Sequence, residues 1–94
     1  MLSTFVIDNT PFIDAILALN REQRLIFSPE GDPFLSYELR FMFILGKCYY
    51  VLQKLGTTEP EEIVCVTDKD SLDRLVRWFD RKIIKRVSWR RVKA

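Results

Sequence analysis

Residues 34–55 read FLSYELRFMFILGKCYYVLQKL, and this stretch decides the fold because it can form one helix or two strands. Read as a helix, it ends at the stop signal Gly56 and places its basic residues on one polar stripe: Arg40, Lys47 and Lys54. Read as a hairpin, it contains aromatic-rich strands at Arg40–Leu45 and Cys48–Gln53. Gly46 inside a helix costs about 1 kcal/mol relative to alanine, which favours the hairpin. We prefer the helix, because both of its ends carry signals, and keep the hairpin as the alternative.

Helix and strand signals alternate on either side of this stretch. The strand signals are runs of β-branched and aromatic residues, at Phe5–Ile7, Leu25–Phe27 and Ile63–Val66. The last run is nearly all apolar and is typical of a central strand that is covered on both faces. Helix signals are an N-cap followed by proline, at Thr10-Pro11 and Asp32-Pro33, and the apolar spacing of residues 71–85. Residues 87–92 are either a last strand or the end of that helix.

This alternation predicts a small three-layer α/β domain. We expect a mainly parallel sheet of about three or four strands with about three helices. If residues 40–53 instead form a central hairpin, the class becomes α+β. The chain of 94 residues is predicted to be one domain, 1–94, with a basic C-terminal segment at 86–94.

The composition excludes several kinds of chemistry. The chain has no histidine, so a Ser-His-Asp triad or a His-ligated zinc site cannot form within it. Its two cysteines cannot complete a four-ligand structural zinc site. The N-terminal residues lack the basic region of a signal peptide, and the longest apolar run, Phe41–Leu45, is too short to span a membrane. We therefore expect a cytoplasmic protein with no membrane partner.

Charge is distributed unevenly along the chain. Residues 1–46 carry a net charge of −3 and residues 47–94 a net charge of +5. The last fourteen residues contain seven Lys or Arg and no acidic residue. This asymmetry indicates an anionic partner, and nucleic acid is the first candidate.

Acidic residues follow two of the predicted strands. Asp8 follows the first strand, Asp68 follows the strand at 63–66, and Asp70 is close behind. In a parallel α/β sheet, ligands bind at the carboxyl ends of the strands. Carboxylate oxygens suit Mg²⁺ or Mn²⁺, which activate water for attack on a phosphodiester. The alternative is that these acids only end a strand or cap a helix.

Three short segments resemble the acidic motifs of PIN-domain nucleases. The first segment is Phe5-Val6-Ile7-Asp8-Asn9-Thr10. Together with the aliphatic residues after it, this segment looks like the family's opening strand and helix. Ser36-Tyr37-Glu38-Leu39 resembles its second acidic element, on a helix, and Val66-Thr67-Asp68-Lys69-Asp70 its third. The resemblance implies metal ligands at Asp8, Glu38, Asp68 and Asp70. It also implies Mg²⁺ or Mn²⁺ as cofactor, in a nuclease that is either active or degenerate.

A second resemblance is to half of a LAGLIDADG homing-endonuclease module. Phe12-Ile13-Asp14-Ala15 is similar to the signature of that family, and Tyr37–Ile84 is similar in pattern to the rest of the half-module. Ile16 occupies the position where that family needs its catalytic acid. This resemblance implies a DNA-binding protein without catalysis.

The basic C-terminal end is the predicted nucleic-acid interface. Its residues are Arg81, Lys82, Lys85, Arg86, Trp89, Arg90, Arg91 and Lys93. Guanidinium groups can follow phosphates, and an exposed tryptophan can stack on an unpaired base. We predict a small nucleic-acid-associated protein, without a choice between DNA and RNA. The alternative is a non-enzymatic interaction or regulatory module that binds an acidic protein, or that forms a homodimer through Phe41–Leu52.

Overall fold

The protein is a five-stranded antiparallel sheet with helices packed against it. The computed structural model describes residue 5, residues 8–66 and residues 70–94. Its elements, in chain order, are α1 (Thr10–Leu17), β1 (Gln23–Pro29), β2 (Tyr37–Ile44), β3 (Lys47–Lys54), β4 (Pro60–Cys65), α2 (Ser71–Arg81) and β5 (Val87–Lys93). The strand order is β4-β3-β2-β1-β5, and every neighbouring pair is antiparallel. The predicted three-layer α/β domain with a mainly parallel sheet is therefore wrong.

The helix that we preferred for residues 34–55 is also wrong, and this error is the source of the wrong fold class. β2 and β3 pair along their whole length, from Tyr37 opposite Lys54 to Ile44 opposite Lys47. The stretch is rich in aromatic and β-branched side chains, which pack better on a pleated sheet than on a helix. The basic residues that seemed to mark one helical stripe are instead spread over two strands.

The hairpin turns at Leu45-Gly46. Both residues have positive φ, 49° at Leu45 and 84° at Gly46. This is the backbone of a type I′ two-residue turn, which favours Asn-Gly because both central residues adopt the left-handed conformation. Glycine meets this requirement, whereas Leu45 adopts a strained conformation while its side chain is 98% exposed. No packing within the described residues compensates for that strain.

The core lies on one face of the sheet. Alternate residues of the central strands point to this face, among them Leu25, Phe27, Leu39 and Leu52, all of which are almost fully buried. α1 and α2 cover this face with buried apolar side chains: Phe12, Ile13, Ala15 and Ile16 from α1, and Leu75, Val76, Trp78 and Phe79 from α2. The ring of Phe27 lies 5.1 Å from that of Phe12 and 5.3 Å from that of Phe79, so one aromatic side chain joins the sheet to both helices.

Several local predictions change in the three-dimensional structure. The strand predicted at 5–7 lies largely outside the described residues, and Phe5, which is described, is helical. The run at 63–66 contributes to β4, which is an edge strand rather than a central one, and Ile63 is about half exposed. Asp32-Pro33 lies in a turn region and starts no helix.

The C-terminal part is closer to the prediction. The predicted helix at 71–85 ends at Arg81, and the strand reading of 87–92 is the one that forms, as β5. In the described part of the chain, neither helix combines the length and apolarity needed to cross a bilayer.

The turn geometry generates a test of stability. Replacing Leu45→Asn should raise the free energy of unfolding by about 1 kcal/mol, because asparagine tolerates positive φ better than leucine does. Urea denaturation monitored by tryptophan fluorescence measures this. Leu45→Ala is the control and should give little gain, since alanine retains a Cβ atom at the same φ. A destabilised Leu45→Asn variant would contradict the assigned turn.

Candidate nucleic-acid interface

The basic C-terminal residues lie on and beside an edge strand. β5 is last in the strand order and pairs with β1 on one side. Most of the predicted interface is exposed here: Lys85 and Arg86 just before β5, and Arg90, Arg91 and Lys93 within it. We call these five residues the basic edge. A charged edge strand also resists pairing with other strands, so part of this charge has a purely structural use.

The cations of the basic edge have no acidic partners in the described part of the chain. Across residue 5 and the segments 8–66 and 70–94, no ion pair involves a basic-edge side chain or that of Lys82. Arg81 behaves differently, because its guanidinium lies 3.4 Å from Glu62 of β4, and Arg74 lies 3.2 Å from the same carboxylate. β4 is the opposite edge of the sheet, about 19 Å away at four strand spacings. The structure thus separates Arg81 from the rest of the predicted interface.

The two tryptophans occupy different environments. Trp78 is buried in the core, where its ring packs edge-on against Tyr37 with 5.1 Å between centroids. Trp89 is about one-third exposed on β5, and its ring centroid lies 5.9 Å from that of Phe12. Trp89 therefore has surface left for a ligand beside Arg91, which lies on the same face of the strand, whereas Trp78 has almost none.

A buried asparagine fixes the start of β5. The side-chain oxygen of Asn9, which is 4% exposed, accepts a 2.9 Å hydrogen bond from the backbone N–H of Val87. The amide nitrogen of Asn9 donates to the backbone carbonyls of Phe5, at 3.0 Å, and Lys85. The residue before α1 thus holds the segment that carries the basic edge. The sequence pattern indicates only the helix start at Thr10-Pro11 and carries no signal for this role of Asn9.

Replacing Asn9→Ala should destabilise the fold by about 1–3 kcal/mol, because it leaves partly buried backbone groups at Lys85 and Val87 without the hydrogen bonds from this side chain. Thermal melting measures the loss, and hydrogen exchange at the Val87 amide locates it. Asn20→Ala is a matched control, since Asn20 is exposed and its side chain bonds to the backbone of Glu22. Equal effects of the two substitutions would refute the anchoring role of Asn9.

The second face of the sheet carries an ion-pair cluster. Ile26 and Val51 are buried on this face but do not belong to the main core. Glu38 is opposite Ile26 on this face, and its carboxylate is 2.5 Å from Nη1 of Arg24 and 3.6 Å from Nε of Arg40. The register places Arg24 and Arg40 opposite each other on β1 and β2. We call this second face of the sheet the open face. Arg90 of β5 also lies on the open face, because it is opposite Ile26.

The acids predicted to bind a metal are placed as follows. Glu38 lies in β2, not on the helix that the PIN-domain resemblance implied, and its carboxylate is already paired with two arginines. Asp8 is exposed ahead of α1, and Asp70 is exposed directly before α2. Asp68 lies outside the described residues. Within those residues, no group of three or more histidine, cysteine or acidic side chains is arranged to hold a metal ion.

Replacing Glu38→Gln separates the ion-pair role of Glu38 from a metal-ligand role. As an ion-pair partner, Glu38 should contribute about 1 kcal/mol to the free energy of unfolding, since both arginines are more than one-third exposed to solvent. We expect a small fall in melting temperature that is the same with and without Mn²⁺. A rise in the melting temperature of the parent protein with Mn²⁺, lost in Glu38→Gln, would instead support metal binding by Glu38.

A polar recess lies where β1 and β5 meet on the open face. Its volume is about 260 Å³, and its polar side chains are Ser28, Ser36, Ser88 and Arg90. The hydroxyls of Ser28 and Ser36 are 2.9 Å apart, and Ser88 is directly opposite Ser28 in the sheet. Hydroxyl donors beside the Arg90 guanidinium are suited to a phosphate or carboxylate group. Only the strand register brings these serines together, so the sequence carried no signal for the recess.

The predicted self-association segment Phe41–Leu52 forms most of the hairpin. Tyr50 and Leu52 lie in the core, and burial raises the pKa of the Tyr50 phenol. The exposed apolar side chains of this segment are gathered at the tip, at Phe43, Ile44 and Leu45.

Comparisons with models of known protein families, with curated proteins and with solved structures returned no match.

Proposed function

We propose that this protein binds nucleic acid through the basic edge and the adjoining open face. The observation that carries the proposal is the set of basic-edge cations without acidic partners in the described part of the chain. The positive charges of the basic edge repel one another in the free protein. Phosphates bound there relieve this repulsion, and the nucleic acid releases the counterions that had neutralised them. The proposal concerns binding without a catalytic step, because Glu38 is paired with arginines rather than with other acids.

The arrangement of the cations supports an extended ligand. Arg91 and Lys93 are two residues apart on one face of β5, and therefore about 6.8 Å apart along the strand. Arg90 is on the other face of the sheet, the one that carries Arg24 and Arg40. Cations on both faces of one edge can contact a phosphate backbone that passes along this edge.

Two polar features beside the cations supply further contacts. The recess of Ser28, Ser36 and Ser88 opens beside Arg90 and is large enough for one phosphate group. On the opposite face of β5, the exposed part of Trp89 is available to stack on an unpaired base next to Arg91. Phosphate contacts set the position of the ligand, and stacking on Trp89 favours unpaired over paired bases.

The double substitution Arg90→Ala with Arg91→Ala tests this interface. Affinity for a fluorescein-labelled 20-nucleotide single strand should fall on the order of tenfold at low salt, and the slope of log affinity against log salt should decrease by about 1.5, because two phosphate contacts are lost. Fluorescence anisotropy at several salt concentrations measures both quantities.

Arg74→Ala with Arg77→Ala is the matched control. It removes the same charge from α2, which packs against β4 at the opposite edge of the sheet. We expect the control to bind within about twofold of the parent protein. Equal losses in the two double variants would mean that net charge alone drives binding, and unchanged binding by the β5 variant would rule out this surface. Displacement of the oligonucleotide by an equal charge of polyglutamate would favour the acidic protein partner instead.

A further inference from the structure

The β2–β3 hairpin ends in an exposed apolar tip. Phe43 is 55% exposed, Ile44 39% and Leu45 98%. Along β2 the odd-numbered residues face the helices, so Phe43 is on that side, Ile44 is on the open face and Leu45 is at the apex. The tip therefore carries an apolar side chain on each face and at its apex, unlike a strand that presents a single apolar face to a partner.

The tip projects beyond the strands that flank it. Pairing of β2 with β1 stops at Arg40, and pairing of β3 with β4 stops at Tyr49. A further hydrogen bond joins the Val66 N–H to the Cys48 carbonyl at 2.9 Å, so the end that extends beyond these contacts is the short segment Ile44–Lys47. A two-stranded ribbon of this kind has the width that a groove of duplex DNA accepts.

The surroundings of the tip are cationic. No acidic residue occurs from Leu39 to Thr58, and Lys47 lies at the tip itself, opposite Ile44. The guanidinium carbon of Arg21 lies 5.6 Å from the centre of the Phe43 ring. The register also places Lys93 at this end of the sheet, opposite Gln23 at the start of β1. An apolar tip within a cationic surround matches the bases and the flanking phosphates of nucleic acid.

We infer that the hairpin tip is a wedge that inserts Leu45 between adjacent base pairs of a duplex while the cations around it hold the neighbouring phosphates. This inference rests on the proposed function and goes beyond it: besides the unpaired strand that Trp89 favours, the tip engages a duplex and bends it on binding. Apolar side chains inserted between base steps partly unstack them and kink the helix. The strained backbone of Leu45 is consistent with this role, since asparagine would suit the turn better but could not act as an apolar wedge.

The variant Leu45→Asn tests the wedge without harming the fold, because it should stabilise the turn. The probe is a 25-base-pair duplex with a fluorescent donor and acceptor at its ends, for which bending raises energy transfer. We expect the parent protein to raise energy transfer, and Leu45→Asn to abolish the rise and weaken duplex binding by about tenfold. Its affinity for a single strand should stay within about twofold of the parent value, since the basic edge is intact.

Ile83→Gly is the matched control. Ile83 is also an exposed apolar residue with positive φ, 58°, but it follows α2 near Arg86, at the end of the sheet away from the hairpin tip. This variant should bend the duplex as the parent protein does. Bending by Leu45→Asn equal to that of the parent would overturn the wedge, as would loss of bending in Ile83→Gly.

Two further outcomes separate the wedge from the proposed function and from a tip that binds lipid. If the parent protein binds neither single strand nor duplex, the proposed function fails as well, whereas single-strand binding without duplex bending overturns the wedge alone. Sedimentation with vesicles of equal parts phosphatidylserine and phosphatidylcholine tests a lipid surface as the target. Vesicle binding that needs Leu45, together with an unbent duplex, would overturn the wedge in favour of a membrane surface.

Discussion

The burial of one face of the five-stranded sheet beneath α1 and α2 is the constraint on which the rest of the structure depends. Both described helices pack against the same face, around an aromatic group centred on Phe27. Because burial of apolar area is the main stabilising term, the covered face accounts for most of the stability. On the second face, buried positions such as Ile26 and Val51 are bordered by the ion pairs of Glu38.

The two edges of the sheet differ in whether their cations have acidic partners, because α2 packs beside β4. α2 lies against β4, where Arg74 and Arg81 are neutralised by Glu62. β5, at the other edge, has cations without such partners in the described chain. Asn9 connects this edge to α1 through hydrogen bonds to both ends of the short segment Lys85–Val87. The position of the candidate interface thus depends on one buried amide far from it in sequence.

Part of this structure could be predicted from residue patterns and part could not. The helix start at Thr10-Pro11 and the helix beginning at Ser71 follow from local signals that act over a few residues. The stretch 34–55 fits both a helical and a strand pattern. Our prediction gave more weight to the helix signals at its two ends than to the cost of Gly46 inside a helix. The apolar run at 63–66 resembles a central strand, but it belongs to an edge strand in which Val64 is buried and Ile63 is about half exposed. Local pattern carries no information about which strand lies at an edge.

The candidate sites also combine features that residue patterns predict with features that they do not. The basic edge was predicted because contiguous charge is visible in the sequence, although Arg81 proved to pair across to Glu62. The metal-binding acids were grouped on the expectation of a parallel sheet, in which strand ends converge. An antiparallel sheet alternates its strand directions, so successive strands do not end at one edge. Glu38 lies within β2, where it pairs with Arg24 and Arg40. The serine recess and the Asn9 anchor were missed, because each joins residues separated by several elements.

The sequence by itself determined the concentration of positive charge in the last fourteen residues, the lack of histidine chemistry and the helix that begins at Ser71. Each of these depends on composition or on neighbours within one or two helical turns. The tertiary structure alone decided that residues 34–55 form a hairpin, that the sheet is antiparallel, and which cations of the described chain remain unpaired. These features depend on contacts between distant segments, whose free energy exceeds the small local preferences that a sequence displays.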